Sequence, residues 1–333
     1  MPLNDTLTIA GRFLKDRDGQ RLILRGINLP LLDDWNFPGN DVLAEPMRTG
    51  ANAIRIQWYV NYPNADRPKF SLDDLSAVLE KCGSAGIVPI LMLADLTCAF
   101  DADEVNTTLI PWWTSPEVVS LIAAHQQYLI INIANEVGAY RWSPNQKAGL
   151  AAYSKAYGQA IAQIRASGVR VPLLIDAPDC GTSLDAFLSA GRQLMSSDPN
   201  KNLLFSAHAY WAAYDGMSFI HPCVAANLPI LFGEIANKQD EQVDGKTVFG
   251  YYDLDGNKTG PGKTNGFRYQ ALLSVLKSRE IGWLAWSWGP DQCAARRMSS
   301  DGRFDSLTEY GKDIVHNPEY GLIPSARPAL TTD

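Results

Sequence analysis

Two glutamates far apart in the chain each end a short apolar run. Leu129-Ile130-Ile131-Asn132-Ile133-Ala134-Asn135-Glu136 is rich in β-favouring residues and reads as a buried strand that delivers Asn135 and Glu136 at its end. Ile230-Leu231-Phe232-Gly233-Glu234 repeats the pattern. A carboxylate at the end of a buried strand costs free energy unless it is paired or hydrogen-bonded. Singly, each would pass as an ordinary residue where a strand meets a loop. Together they suggest cleavage of a glycosidic bond. The leaving oxygen is a poor leaving group, so an acid must protonate it, and the anomeric carbon becomes positive, so a carboxylate on the other face stabilises or attacks it. A second carboxylate about 5 Å away helps the acid keep its proton near neutral pH through like-charge repulsion.

Other residues at predicted strand ends suit the same chemistry. Arg55 would hold the second carboxylate by charge and hydrogen bonding. His208 and Tyr210 are two apart, hence on one side of a strand, and Trp286 and Trp288 share a side in the same way. Trp35, Trp58, Trp142 and Trp211 follow predicted strands and are candidate platforms for the C–H faces of sugars. Ordinary loop packing is the alternative for each of these four.

The elements that must position these residues form a regular series. Leu7 to about Arg25 reads as a hairpin turned at Asp18-Gly19, which would plug one end of a closed sheet. Strands are expected at 22–28, 52–57, 88–94, 129–136, 171–175, 203–206, 230–234 and 282–286. Helices are expected between them. One runs from an N-cap at Ser71, with Asp74 completing a capping box, to Gly86. Another opens at Ser143-Pro144 and buries Leu150, Tyr153, Tyr157, Ile161 and Ile164. Trp112 and Trp113 are placed in a loop. The long polar stretch 235–266 should hold a small hairpin turned at Asp255-Gly256. Its Asp253/Asp255/Asn257 spacing has part of a calcium-loop pattern, without the glutamate that loop needs at its twelfth position. Eight short strands alternating with helices give an α/β fold, a single (β/α)8 TIM barrel with its chemistry at the C-terminal strand ends. A doubly wound dinucleotide fold lacks its G-x-G-x-x-G, and a phosphosugar barrel lacks its glycine-rich phosphate loop.

Composition bounds the rest. The 333 residues are 46% hydrophobic and 20% charged, with no linker or repeat, so one catalytic domain spanning 1–333 is expected. A net charge of −7 argues against nucleic acid as a partner. No apolar run reaches the roughly twenty residues of a membrane span, and no signal architecture opens the sequence. The expectation is a secreted or extracytoplasmic monomer whose signal peptide is not part of this sequence, with an intracellular protein as the alternative. His125, His208, His221 and His316 form no H-E-x-x-H, so neither metal nor cofactor is expected. Of Cys82, Cys98, Cys180, Cys223 and Cys293, at least one must stay unpaired within a monomer; most read as buried small residues, with one disulfide of unassignable pairing allowed.

At these residues the sequence resembles glycoside hydrolase family 5, and within it the bacterial endo-β-1,4-mannanases. The matching passages are Leu24-Arg25-Gly26-Ile27-Asn28, Ala51-Asn52-Ala53-Ile54-Arg55, Ile130 to Glu136, Ser206-Ala207-His208-Ala209-Tyr210, Gly233-Glu234, and Gly282-Trp283-Leu284-Ala285-Trp286-Ser287-Trp288. The resemblance implies a retaining hydrolase with Glu136 as acid/base and Glu234 as nucleophile. It also implies that Asn135 bonds the sugar 2-hydroxyl, Arg55 and Tyr210 hold the nucleophile, His208 lies near the acid/base, and Trp286 floors the cleaved sugar. The chain departs from the family pattern at Ala94-Asp95, where a histidine usually ends strand three. It departs again at Val137-Gly138, where aromatic residues are expected, and in the length of the connection after Glu234. The expected substrate is β-mannan or glucomannan. A β-1,4-glucanase of the same family and a non-hydrolytic carbohydrate-binding barrel are the alternatives.

Overall fold

The computed structural model describes residues 5–30, 43–61, 70–211, 214–243, 246–251, 267–289, 291 and 293–327. Trp35, the Asp255-Gly256 turn and the Asp253/Asp255/Asn257 spacing lie outside these residues. Eight parallel strands close into a barrel: β3 (Arg25–Leu29), β4 (Ala53–Trp58), β5 (Val88–Leu93), β6 (Ile130–Asn132), β7 (Leu173–Asp176), β8 (Leu203–His208), β9 (Ile230–Ile235) and β12 (Gly282–Ala285), the last pairing with the first. Two antiparallel pairs stand outside it, β1 (Thr8–Ala10) with β2 (Phe13–Lys15) and β10 (Lys238–Val243) with β11 (Lys246–Tyr251).

Strand periodicity divides the side chains into two sets. Leu24, Ala53, Ile90, Ile130, Leu174, Leu204, Leu231 and Leu284 pack together inside the barrel. Their neighbours, among them Ile54, Ile131, Leu173, Phe205 and Phe232, join the larger core shared with the helices. The hairpin leucines Leu7, Leu14 and Leu22 belong to the inner set, so the hairpin plugs the N-terminal end of the barrel. Its architecture differs from expectation in one respect. The two-residue turn between β1 and β2 is at Gly11-Arg12, with Gly11 at φ +60°, while the Asp18-Gly19 turn closes a second, shorter link between Lys15 and Arg21. Both are turns that glycine permits by taking positive φ.

The helix Leu72–Ser84 carries the expected capping box of Ser71 and Asp74. The helix Gln146–Ala166 is capped by Asn145 rather than Ser143, because the Asn145 side chain accepts from the Ala148 N–H. Trp112 and Trp113 both lie in the helical turn Ile110–Trp113, which continues the turn Val105–Leu109, rather than in a loop. Trp113 is buried and donates to the Ile133 carbonyl at 2.9 Å, bracing the segment that carries Glu136. Within the stretch 235–266, β10 and β11 pair as an antiparallel hairpin. Among the described residues, no helix is long and apolar enough to cross a membrane.

Gly26 faces the barrel interior where β3 meets β4. A Cβ there would lie 2.2 Å from the Ala53 carbonyl oxygen and 2.5 Å from a Leu284 methyl. Both neighbours are locked in the sheet or the inner core, so Gly26→Ala should destabilise the protein by about 3 kcal/mol, as overpacked cores do. The midpoint of urea unfolding reads this directly.

Candidate active site

The same inward parity that gives the apolar layer places a polar layer one step toward the C-terminal strand ends. Asn28 follows Leu24 and Gly26, Arg55 follows Ala53, Asn132 follows Ile130, Asp176 follows Leu174, and His208 follows Leu204 and Ser206. Glu234 would share Phe232's outward side. A register shift between β8 and β9 pairs His208 with Glu234 and turns Glu234 inward. Gly233 permits this, since a Cβ there would meet Ser206 Oγ at 2.4 Å and His208 Nε2 at 2.8 Å. Asn135 and Glu136 stand just beyond β6, with Glu136 at φ +60°.

Arg55 is buried and donates five hydrogen bonds. Nε reaches Asn132 Oδ1 at 2.9 Å; Nη1 reaches Asn28 Oδ1 at 3.0 Å and Glu234 Oε1 at 2.8 Å; Nη2 reaches Asn135 Oδ1 at 2.7 Å and Asp176 Oδ2 at 3.1 Å. These are all the N–H groups a guanidinium has. Tyr210 donates to the other Glu234 oxygen at 2.8 Å, and Arg296 lies over the Tyr210 ring. His208 Nδ1 contacts Glu136 Oε1 at 2.6 Å and lies 3.5 Å from Glu234 Oε1. Its Nε2 lies 3.6 Å from Asp176, a charge contact beyond hydrogen-bond reach. The expected group of Arg55, Asn135, Glu136, His208, Tyr210 and Glu234 is thus brought together.

Burial and the nearby Glu234 push the Glu136 carboxyl up to about 7, against the opposing pull of His208. Burial opposes protonation of His208, but the Glu234 and Asp176 carboxylates outweigh it and push the imidazole up to about 10. Burial likewise opposes ionisation of Asp176, yet His208 and Arg55 hold it below its ordinary value. An oxygen of Glu136, a nitrogen of His208 and an oxygen of Glu234 lie within 4.8 Å of one another. A metal could use that spacing, but His208 and Arg55 already occupy the carboxylates, so the set is better matched to proton chemistry.

The aromatic candidates separate. Trp142 is 47% exposed and faces Phe100 with ring centroids 6.1 Å apart. Trp286 is half-buried and donates to Asp291 at 2.7 Å; the Trp286–Ser287 peptide is cis. Trp58 and Trp211 are corrected from platforms to packing. Trp58 points outward from β4 into the helical layer and is 5% exposed. Trp211 is fully buried, edge-on to Phe232 and Phe267, with its N–H on the Thr182 carbonyl.

Sequence reasoning missed several residues. Asp176 ends the apolar run Val171–Ile175 as Glu136 and Glu234 end theirs, and that signal would have found it. Asp179 accepts from the backbone N–H groups of Tyr140, Arg141 and Trp142 and from Ser183 Oγ, fastening the segment after Glu136 to the one after β7. A disulfide joins Cys98, after β5, to Cys180, after β7. Cys82, Cys223 and Cys293 are free and buried. A crosslink spanning 82 residues removes about 4 kcal/mol of chain entropy from the unfolded state. At the departures from the expected pattern, Ala94 is buried and Asp95 accepts from the Val60 and Asn61 N–H groups. Gly138, at φ +111°, would press a Cβ to 2.7 Å from the Tyr153 ring, which excludes a larger residue.

The sequence model of the cellulase family (glycosyl hydrolase family 5) matches residues 15–292. A mannan endo-1,4-beta-mannosidase of Salipaludibacillus agaradhaerens is 26% identical over 331 residues, covering 96% of this chain and 94% of that protein. One of Streptomyces lividans is 25% identical over 324 residues, covering 94% and 74%. In fold, the chain is similar to the crystal structure of beta-mannanase from Streptomyces thermolilacinus with mannohexaose, with a TM-score of 0.75, 23% identity and 97% of both chains covered.

Because its proton affinity is raised by folding, Glu136 contributes stability below its ordinary value of 4.5 that is lost as pH rises through about 7. Glu136→Gln stays neutral throughout. The variant should match wild type in thermal unfolding near pH 4 and exceed it at pH 8 by about 3 kcal/mol.

Proposed function

The chain belongs to glycosyl hydrolase family 5, and from that premise we propose that it is a retaining endo-β-1,4-mannanase acting on mannan or glucomannan. It is a glycoside hydrolase by family. Retention is supported by the separation of the two carboxylates, whose nearest oxygens lie within 4.8 Å, against the roughly 6.5–9.5 Å that an inverting pair needs to admit water. The names of the two relatives support mannan as the substrate.

In the first step a Glu234 oxygen bonds to the anomeric carbon while the glycosidic C–O bond breaks, and the leaving oxygen takes the Glu136 proton. Arg55 and Tyr210 hold the nucleophile in place, one on each oxygen. Esterified Glu234 has no charge, so the repulsion that kept the proton on Glu136 disappears. Glu136, now a carboxylate, takes a proton from water as the water oxygen attacks the anomeric carbon and releases Glu234. Asn135, fixed by Arg55 and by Thr97 at 3.1 Å, is placed to bond the sugar 2-hydroxyl, and Trp286 to floor the sugar. Trp142 is exposed enough to stack on a neighbouring sugar. The chain acts as one catalytic domain and as a monomer, a reading supported by a rim drawn from a single chain. An extracytoplasmic location is supported by the disulfide, a bond that persists in oxidising compartments.

Reducing-sugar release from galactomannan, glucomannan and carboxymethylcellulose tests the substrate. Glu136→Gln and Glu234→Gln should each lower kcat on the mannans by about a thousandfold or more. Proton NMR of the first product should show the β-anomer, and kcat/KM should fall as pH rises through about 7. Release from carboxymethylcellulose alone, or an α-anomer first, would overturn the proposal.

A further inference from the structure

Cys98 Sγ lies 3.2 Å from Glu136 Oε2. A disulfide sulfur carries no hydrogen, so any hydrogen between the two atoms belongs to the carboxyl. Oε1 is already taken, because His208 Nδ1 lies against it at 2.6 Å and an imidazole charged on both nitrogens donates there. The carboxyl proton therefore sits on Oε2, on the side of the sulfur. The surroundings hold the sulfur in that place. Gly138 N–H donates to the Ala99 carbonyl beside Cys98, and Asp179 N–H, beside Cys180, donates to the Gly138 carbonyl. The two cysteine Cα atoms are 4.6 Å apart across the segment that carries Glu136. Cys98, Glu136, Asp179 and Cys180 all take positive φ, between +51° and +62°, a conformation that costs non-glycine residues free energy and that the bridge and Asp179 maintain.

We propose that the Cys98–Cys180 disulfide is a positioning group for the acid, holding the Glu136 proton on Oε2, the oxygen not taken by His208, and offering the carboxylate no donor. The proposal rests on the reading of Glu136 as acid/base. A disulfide sulfur is a weak acceptor, so it orients the O–H and releases it readily to a glycosidic oxygen. It cannot stabilise the ionised carboxyl as a donor would. Opening the bond changes this, since a Cys98 thiol can donate to Oε2 and favour ionisation. The other charged or titratable groups around Glu136 are His208, Glu234, Asp176, Arg55 and Tyr210, and opening the disulfide leaves them in place. Both cysteines are half-buried, within reach of a small reductant.

The test is titration of the Glu136 side-chain carboxyl by carbon-13 NMR, without substrate, in four samples. These are the oxidised protein, the protein treated with a phosphine reductant, and the pairs Cys98→Ser/Cys180→Ser and Cys98→Ala/Cys180→Ala. Near-ultraviolet circular dichroism reports the fold of each. The serine pair places an O–H donor at the sulfur's position and should lower the Glu136 midpoint by about one pH unit, moving the alkaline limb of kcat/KM with it. The reduced protein should shift in the same direction by less, and the alanine pair should not move downward. Equal shifts in the serine and alanine pairs, or none in any sample, would show that the bond serves only to tie the loops. A neutron structure of the untreated protein at pH 5 decides the matter if the variants do not fold. Deuterium on Oε2 directed at Cys98 supports the proposal, and deuterium on Oε1 overturns it. Hydrolysis by Glu136→Gln would overturn the acid/base reading separately, because the titrations do not depend on turnover.

Discussion

The Arg55 guanidinium is the constraint on which the rest of the molecule depends. A buried cation is tolerated only when its hydrogens are matched and its charge is balanced. Here the five acceptors come from β3, the end of β6 and the segment just beyond it, the end of β7, and β9. No two neighbouring strands could supply them. The closed barrel brings these ends to one point, and Arg55 then fixes their heights relative to one another. Stability and geometry are therefore tied together: the bonds that keep Arg55 buried are those that aim Glu234 and Asn135.

The charge count follows from this arrangement. Arg55 and His208 bring two positive charges to the layer, and Asp176 and Glu234 two negative ones. Glu136 completes a neutral set only while protonated, and its ionisation would add a third anion to a site of low dielectric. Asp176 matters here without facing the cleft. It lowers the cost of burying Arg55 and His208, and its carboxylate also accepts the backbone N–H of Glu136 at 3.2 Å.

Much of this was legible in the sequence because strand periodicity and strand-end carboxylates are local signals. The barrel, the plugging hairpin, Glu136, Glu234 and their supports could be read from short apolar runs and the residues that end them. Asp176 escaped because strand five was ended one residue early, although Leu174 and Asp176 share a parity. Trp58 and Trp211 were misread because an aromatic residue near a strand end does not show which way it points. Counting parity from Ala53 and Arg55 turns Trp58 outward. The pairing of β10 with β11 was not read because the stretch 235–266 is polar and lacks the apolar alternation that marks a strand. The disulfide had no local signal, since Cys98 and Cys180 meet only when β5 and β7 stand on either side of β6.

The plugged end of the barrel also bears on how the molecule can be attached to other things. The hairpin leucines fill that end, and at the same end the Arg327 carbonyl accepts from Asn52, which precedes β4. The first and last described stretches of chain therefore lie on the face opposite the carboxylates. A fusion partner, an anchoring module or a solid support joined beyond either stretch would leave from the rear of the barrel. The open rim, on the opposite face, would stay clear of the attachment.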